Sequence, residues 1–120
     1  MQTTGQMPKP KFLILLTEAV VALDIEYIIR DLLPDASVFV ARTPEEGGTH
    51  LAEGPVAVAF VQQDLVERLL SAIGRSLAAV AARVVFVGAE NSGIEESVAT
   101  LPFPFSREDV ESLLTRTLLA

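Results

Sequence analysis

Three carboxylates, Glu18, Asp64 and Glu90, each stand a short way past an apolar run of strand length: KFLILL (11–16), VAVAFV (56–61) and RVVFVG (83–88). Carboxylates gathered on adjacent strand ends are the donors a hard divalent cation requires, because such an ion takes several oxygen ligands. A plainer reading competes. Acids in these places are solvated, or sit near helix N-termini where the backbone dipole favours negative charge by ~0.3–1 kcal/mol. Asp64 has a specific alternative role, since Glu67 follows it at capping-box spacing. The amides Gln62 and Gln63 offer hydrogen bonds to a small ligand, or face solvent as loop groups; the second reading is preferred. His50 is the one histidine and reads as a surface residue rather than half of a catalytic dyad. The chain has no glycine-rich phosphate loop, no nucleophile with a base beside it and no cluster of ligating histidines. No catalytic residue, resident metal or cofactor is therefore assigned, and an enzyme is not expected.

The composition narrows the classes further. The 120 residues suit one domain, and half of them are hydrophobic, enough for a sizeable core. Cysteine is absent, which removes disulfides, thiol catalysis and cysteine-based zinc sites. The net charge of −7 repels phosphate backbones, and the nine lysines and arginines are scattered, so no nucleic-acid partner is expected. No apolar run approaches the ~20 residues of a membrane span. MQTTGQMPKPK carries no apolar segment typical of a signal peptide. The simplest reading is a cytoplasmic chain with no membrane partner: a disordered tail over residues 1–10, then a single domain over 11–120.

Those carboxylates and amides must be positioned by the elements around them. After KFLILL, Thr17 offers an N-cap to a helix over 20–33, with Val21, Ile25, Ile28, Ile29 and Leu32 at helical spacing and Pro34 as its stop. SVFVA (37–41) is a second strand. TPEE (43–46) starts a short helix that ends near Glu53, weakened by Gly47-Gly48. Behind Asp64, the stripe Val66, Leu69, Leu70, Ile73, Leu77 and Val80 predicts one long helix over 64–82, with Gly74 inside it at a cost of ~1 kcal/mol. Residues 92–101 read as a short capped helix, LPFPF (101–105) as a fifth strand, and 106–120 as a capped, acid-first last helix. The strands are continuous apolar runs rather than alternating ones, so both of their faces are buried. Five β-α repeats then predict an α/β fold: a three-layer α/β/α sandwich, flavodoxin-like, on a five-stranded parallel sheet of order 2-1-3-4-5.

Three stretches carry a resemblance to a known family: LLTEAVVALDIEYIIRDLL (15–33), ARTPEEGGTHLAEGPVAVAF (41–60) and LPFPFSREDVESLL (101–114). Their order and spacing resemble the receiver domain of two-component response regulators, over about residues 11–120. In that family two acids after strand one hold Mg²⁺, an aspartate at the end of strand three accepts a phosphoryl group, and a hydroxyl residue and a lysine bind its oxygens. A hard cation needs several oxygens, and developing phosphoryl charge needs cationic and hydrogen-bonding partners. The resemblance places the acid pair on Leu16 and Thr17, the acceptor on Val61, the hydroxyl on Gly88 and the lysine on Phe103. None of these residues can do the family's chemistry. Only Glu18 keeps acidity near the pair. A one-residue slip leaves Phe60 or Gln62 as acceptor, and neither serves.

The resemblance therefore implies a pseudo-receiver: a non-phosphorylatable signalling domain that works through an unknown protein partner, or as a homodimer, in a bacterial-type pathway. It also implies a cis peptide before Pro104, and Phe103 as an apolar plug in the old phosphate pocket. By the same likeness, the interface is expected among Ile94, Val98, Leu101, Phe105, Val110, Leu113, Leu114 and Leu118, if they are not core. The alternative is a small-ligand or divalent-metal module that uses a strand-end crevice of Glu18, Gln62, Gln63, Asp64 and Glu90. An open polar crevice would favour that module. A crevice filled by Phe103 and Val61, with an apolar patch elsewhere, would favour the pseudo-receiver.

Overall fold

A computed structural model describes residues 10–74, 81–88, 99–101 and 105–119. The strands are β1 (Lys11–Leu15), β2 (Ser37–Ala41), β3 (Val56–Gln62), β4 (Ala81–Val87) and β5 (Ala99–Leu101). The helices among the described residues are α1 (Ala19–Leu32), α2 (Pro44–Ala52), α3 (Val66–Ile73) and α4 (Arg107–Leu119). All strand pairs are parallel and the order is β2-β1-β3-β4-β5, as the apolar runs predict.

Period-two alternation on buried strands builds two cores. Phe12 and Ile14 of β1, with Val58 and Phe60 of β3, face Ala22, Ile25 and Ile29 of α1 and Val110, Leu113 and Leu114 of α4. Leu13 and Leu15, with Ala59 and Val61, face Leu51 of α2 and Leu65 and Leu69 at α3. Phe12 through Leu15 are all fully buried, the signature of a central strand covered on both sides. The Pro10 carbonyl accepts the Ser37 N–H at 2.9 Å; residues 1–9 lie outside the described part.

Local signals decide the helix ends. Thr43 accepts the Glu46 N–H at 3.2 Å, Pro44 opens α2, and the Glu46 carboxylate accepts the Arg42 N–H at 2.9 Å. α2 passes through Gly47-Gly48, and Gly47 is buried against Leu15 and Leu69, where a Cβ would make ordinary contacts at 3.4 and 3.5 Å. Ser106 and Asp109 form a reciprocal box at the start of α4, each backbone N–H donating to the other's side chain.

Four expectations are corrected. α1 begins after Glu18, and Thr17 does not cap it. The helix predicted over 64–82 is a 3₁₀ turn (Gln63–Leu65) and then α3, which stops at Gly74. Gly74 takes the left-handed conformation (φ 66°, ψ 17°), and its N–H closes onto Leu70 O at 3.0 Å. Glycine enters that region without a Cβ penalty, so it terminates α3 instead of sitting inside it. Asp64 lies in the turn, and Leu65 stands at the cap position with no side-chain cap. Ala99–Leu101 are strand rather than helix end, two residues ahead of the expected fifth strand; residues 92–98 lie outside the described part.

Candidate functional site

Parallel strands with crossovers on both faces leave a crevice at their carboxyl ends. Here it has a volume of about 390 Å³ and is lined by Leu16, Thr17, Glu18, Val21, Gln62, Asp64, Val87 and Gly88. The ends of β1, β3 and β4 and the start of α1 supply these residues.

The β1–β3 pairing runs Phe12↔Val58 to Leu15↔Val61, which brings Leu16 and Thr17 level with the end of β3. There Gln62, not Val61, faces the crevice. Val61 is fully buried in the core under α2 and α3. Gln62 Oε1 accepts the Thr17 N–H at 3.0 Å and the Thr17 hydroxyl at 2.9 Å. Gln62 Nε2 donates to Asp64 Oδ1 at 2.6 Å. The amide uses both of its ends, its oxygen accepting and its NH₂ donating. Gln62 is thus a clasp between β1 and β3, not the solvent-facing loop amide expected from sequence. The position that shares the crevice with Leu16 and Thr17 carries a neutral amide, one residue past where the resemblance set the acceptor. Val61 does not fill the crevice, which is open and polar along the Thr17–Gln62–Asp64 line.

The other positions follow from their backbones. Leu16 is only 2 % exposed and belongs to the α1/α4 core, so the first of the two positions expected to hold metal is apolar packing. Gly88 has φ 81° and donates its N–H to Leu101 O at 2.8 Å. That left-handed backbone suits glycine and opposes a serine or threonine there. Glu18 and Asp64 both reach the crevice, but Glu90 lies outside the described residues. Among the described residues no group of three or more His, Asp or Glu side chains is placed to hold a metal ion. The side chain of Gln63, and Phe103 with the Pro104 peptide, also lie outside.

His50 is half-buried rather than a free surface residue. Its ring packs on Phe39 with centroids 4.8 Å apart, and its Nδ1 lies 3.4 Å from the Glu53 carboxylate. Lys11 Nζ donates to His50 O at 2.8 Å and sits 5.1 Å over the Phe39 ring. This cluster, at the start of β1 and the end of α2, is far from the crevice in the sheet and ties those elements together.

The expected interface changes more. Leu101, Val110, Leu113 and Leu114 are buried core residues, and Phe105 packs partly buried against them. Ile94, Val98 and the Leu118 side chain lie outside the described residues. The exposed large apolar side chains among the described residues are instead Val20, Leu23 and Tyr27 on α1. Their i, i+3, i+7 spacing sets them on a second apolar arc beside the one that packs the core. No helix among the described residues is long and apolar enough to cross a membrane.

With this geometry in hand, comparison with known proteins defines the fold class. No protein-family model matches the sequence, and no curated protein matches it. Solved structures do. The chemotaxis protein CheY4 of Vibrio cholerae superposes with a TM-score of 0.68 at 13 % identity, over 92 % of this chain and 99 % of that one. A chain in the co-crystal of Saccharomyces cerevisiae Ypd1 with the receiver domain of the response regulator Ssk1 matches at 0.65 and 17 %, over 90 % and 88 %. The anti-anti-sigma factor PhyR of Bartonella quintana matches at 0.63 and 22 %, over 95 % of this chain and 49 % of PhyR. The chain has the fold of CheY-type receiver domains.

Proposed function

We propose that this chain is a receiver-like signalling domain that does not run a phosphorylation cycle and acts by binding a protein partner in the cytoplasm. The observation that carries the reading is Gln62. At the strand-three end that shares the crevice with Leu16 and Thr17, an amide stands where an acceptor carboxylate would be, and both of its ends are engaged. An amide oxygen is a poor phosphoryl acceptor, and a buried leucine supplies no ligand to Mg²⁺. The solved relatives support a role in signalling: one structure pairs the receiver domain of Ssk1 with the histidine phosphotransfer protein Ypd1, and PhyR is an anti-anti-sigma factor. We assign the chain no catalysis of its own.

A second reading has one observation in its favour. The crevice is open, and Glu18 and Asp64 both line it, so a divalent cation or small polar ligand is an alternative occupant.

Native mass spectrometry with Mg²⁺ and acetyl phosphate separates these readings. We expect no phosphoryl adduct and no stoichiometric Mg²⁺. A phosphoryl adduct would overturn the proposal. A one-to-one Mg²⁺ adduct without phosphate would favour the ligand-binding alternative.

A further inference from the structure

β2 forms one edge of the sheet, and its outer side is nearly bare. Ser37 donates its N–H to Pro10 O and Ala41 O accepts the Leu16 N–H, so residues 37, 39 and 41 direct their main-chain groups at β1. Alternation along the strand then turns those of Val38 and Val40 outward. One outward group has a partner: Arg30 Nη2 donates to Val38 O at 3.3 Å, while Arg30 Nε is held by Glu26. Among the described residues no partner reaches the Val38 N–H or either main-chain group of Val40. SVFVA itself carries no charge and no proline, the usual means of blunting an edge. The opposite edge strand, β5, spans three residues.

The flanking residues select the occupant. Asp35 precedes β2 and Arg42 follows it. Both are exposed, and among the described residues neither side chain makes an ion pair. A strand laid antiparallel on this edge matches it best with a base near Asp35 and an acid near Arg42. β2 of a second copy has that arrangement. With Val38 of one copy opposite Val40 of the other, Phe39 faces Phe39 across a two-fold axis. Asp35 of each copy then stands one place from Arg42 of the other. Phe39 is half-buried with its ring against His50, so it is already held in place for a cross-strand aromatic pair. A parallel pairing would instead set like charges together at both ends.

We propose that the outer edge of β2 pairs antiparallel with β2 of a second copy, which joins the two sheets into one. Each Val38 then exchanges both of its main-chain hydrogen bonds with Val40 of the other copy. Val38 O passes from Arg30 to that Val40 N–H, so the Glu26–Arg30 pair is a guard that competes with the second copy for one carbonyl. Two chains of net charge −7 repel at long range, and the edge offers few hydrogen bonds, so the pairing is weak and reversible. The inference goes beyond the proposed function and is independent of the crevice, to whose lining β2 contributes no residue.

Sedimentation equilibrium of the full chain from micromolar to millimolar concentration, with amide hydrogen exchange on the same samples, tests the pairing. A dimer should form as concentration rises, and the Val40 N–H should become protected with it. Asp35→Arg or Arg42→Asp alone sets like charges together in both pairs and should weaken the dimer at least about tenfold. The double substitution should restore it to within about threefold, and the two single variants should dimerise with each other when mixed. Tm should hardly change in any of these, because both side chains are exposed. Arg30→Lys keeps the charge but loses the planar fork that spans Glu26 and Val38 O, and should tighten the dimer by about threefold. A chain that stays monomeric at millimolar concentration overturns the proposal. So does a dimer that the charge exchanges leave unchanged, or one in which Val40 stays unprotected, since either uses another surface. Val40 protection induced in a monomer by a synthetic strand of alternating valine and threonine would give the edge to another protein and overturn the second-copy assignment.

Discussion

Val61 and Gln62 are neighbours on β3 with opposite surroundings. Val61 has no exposed surface and packs in the α2/α3 core, whereas Gln62 is half-buried in the crevice and hydrogen-bonded to Thr17 and Asp64. A carboxylate at each position makes opposite demands. Val61→Asp places an uncompensated charge in an apolar core and should cost roughly 3–5 kcal/mol. Gln62→Asp exchanges exposed hydrogen bonds and should cost roughly 1 kcal/mol. Urea unfolding of the two variants checks this; equal losses would mean that Gln62 occupies a core position rather than the crevice. The sequence revealed that both residues lack a nucleophile. It did not reveal which faces the crevice, because a one-residue step along a strand reverses the side chain and the apolar run gives no alternation to fix the phase. The Thr17–Gln62–Asp64 clasp was illegible for a related reason: it joins residues 45 apart in the chain through side-chain geometry that no local spacing encodes.

At the scale of elements, sequence patterns located strand centres well and helix ends unevenly. α2 was legible because Thr43, Pro44 and Glu46 each signal its start by a local mechanism. α3 was not, because the apolar stripe continues to Leu77 and Val80 while the helix stops on the backbone freedom of one residue, Gly74. The two descriptions predict opposite signs. Inside a helix, Gly74→Ala would stabilise the protein by about 1 kcal/mol. As a left-handed C-cap, the substitution should destabilise it by roughly 1–2 kcal/mol. A lowered Tm supports the cap; a raised one contradicts it. α1 shows a third kind of partial legibility. Its core-facing arc was read from periodicity, but the exposed arc at Val20, Leu23 and Tyr27 stood out only after burial separated one apolar face from the other. The interface first sought at Leu101 and Leu114 proved to be core, since apolar residues on an outer helix and edge strand look alike in sequence whether they face inward or outward.

At the scale of the whole molecule, continuous apolar strands, parallel pairing and a two-sided core follow from one another, and the fold was readable from the sequence. Function does not follow from fold in the same way. CheY4, the Ssk1 receiver domain and about half of PhyR share this architecture with the chain, but the crevice here holds an amide clasp, a buried leucine and a left-handed glycine. On the reading proposed above, this crevice does not respond to a phosphoryl group. The most direct measurement is an amide correlation spectrum of the labelled chain before and after adding Mg²⁺ with beryllofluoride, a mimic of a carboxylate-bound phosphoryl group. Resonances at the ends of β1, β3 and β4 should stay unchanged. Saturable shifts at Thr17, Gln62 and Gly88, with slow exchange between free and bound forms, would show a working phosphoryl site and contradict it.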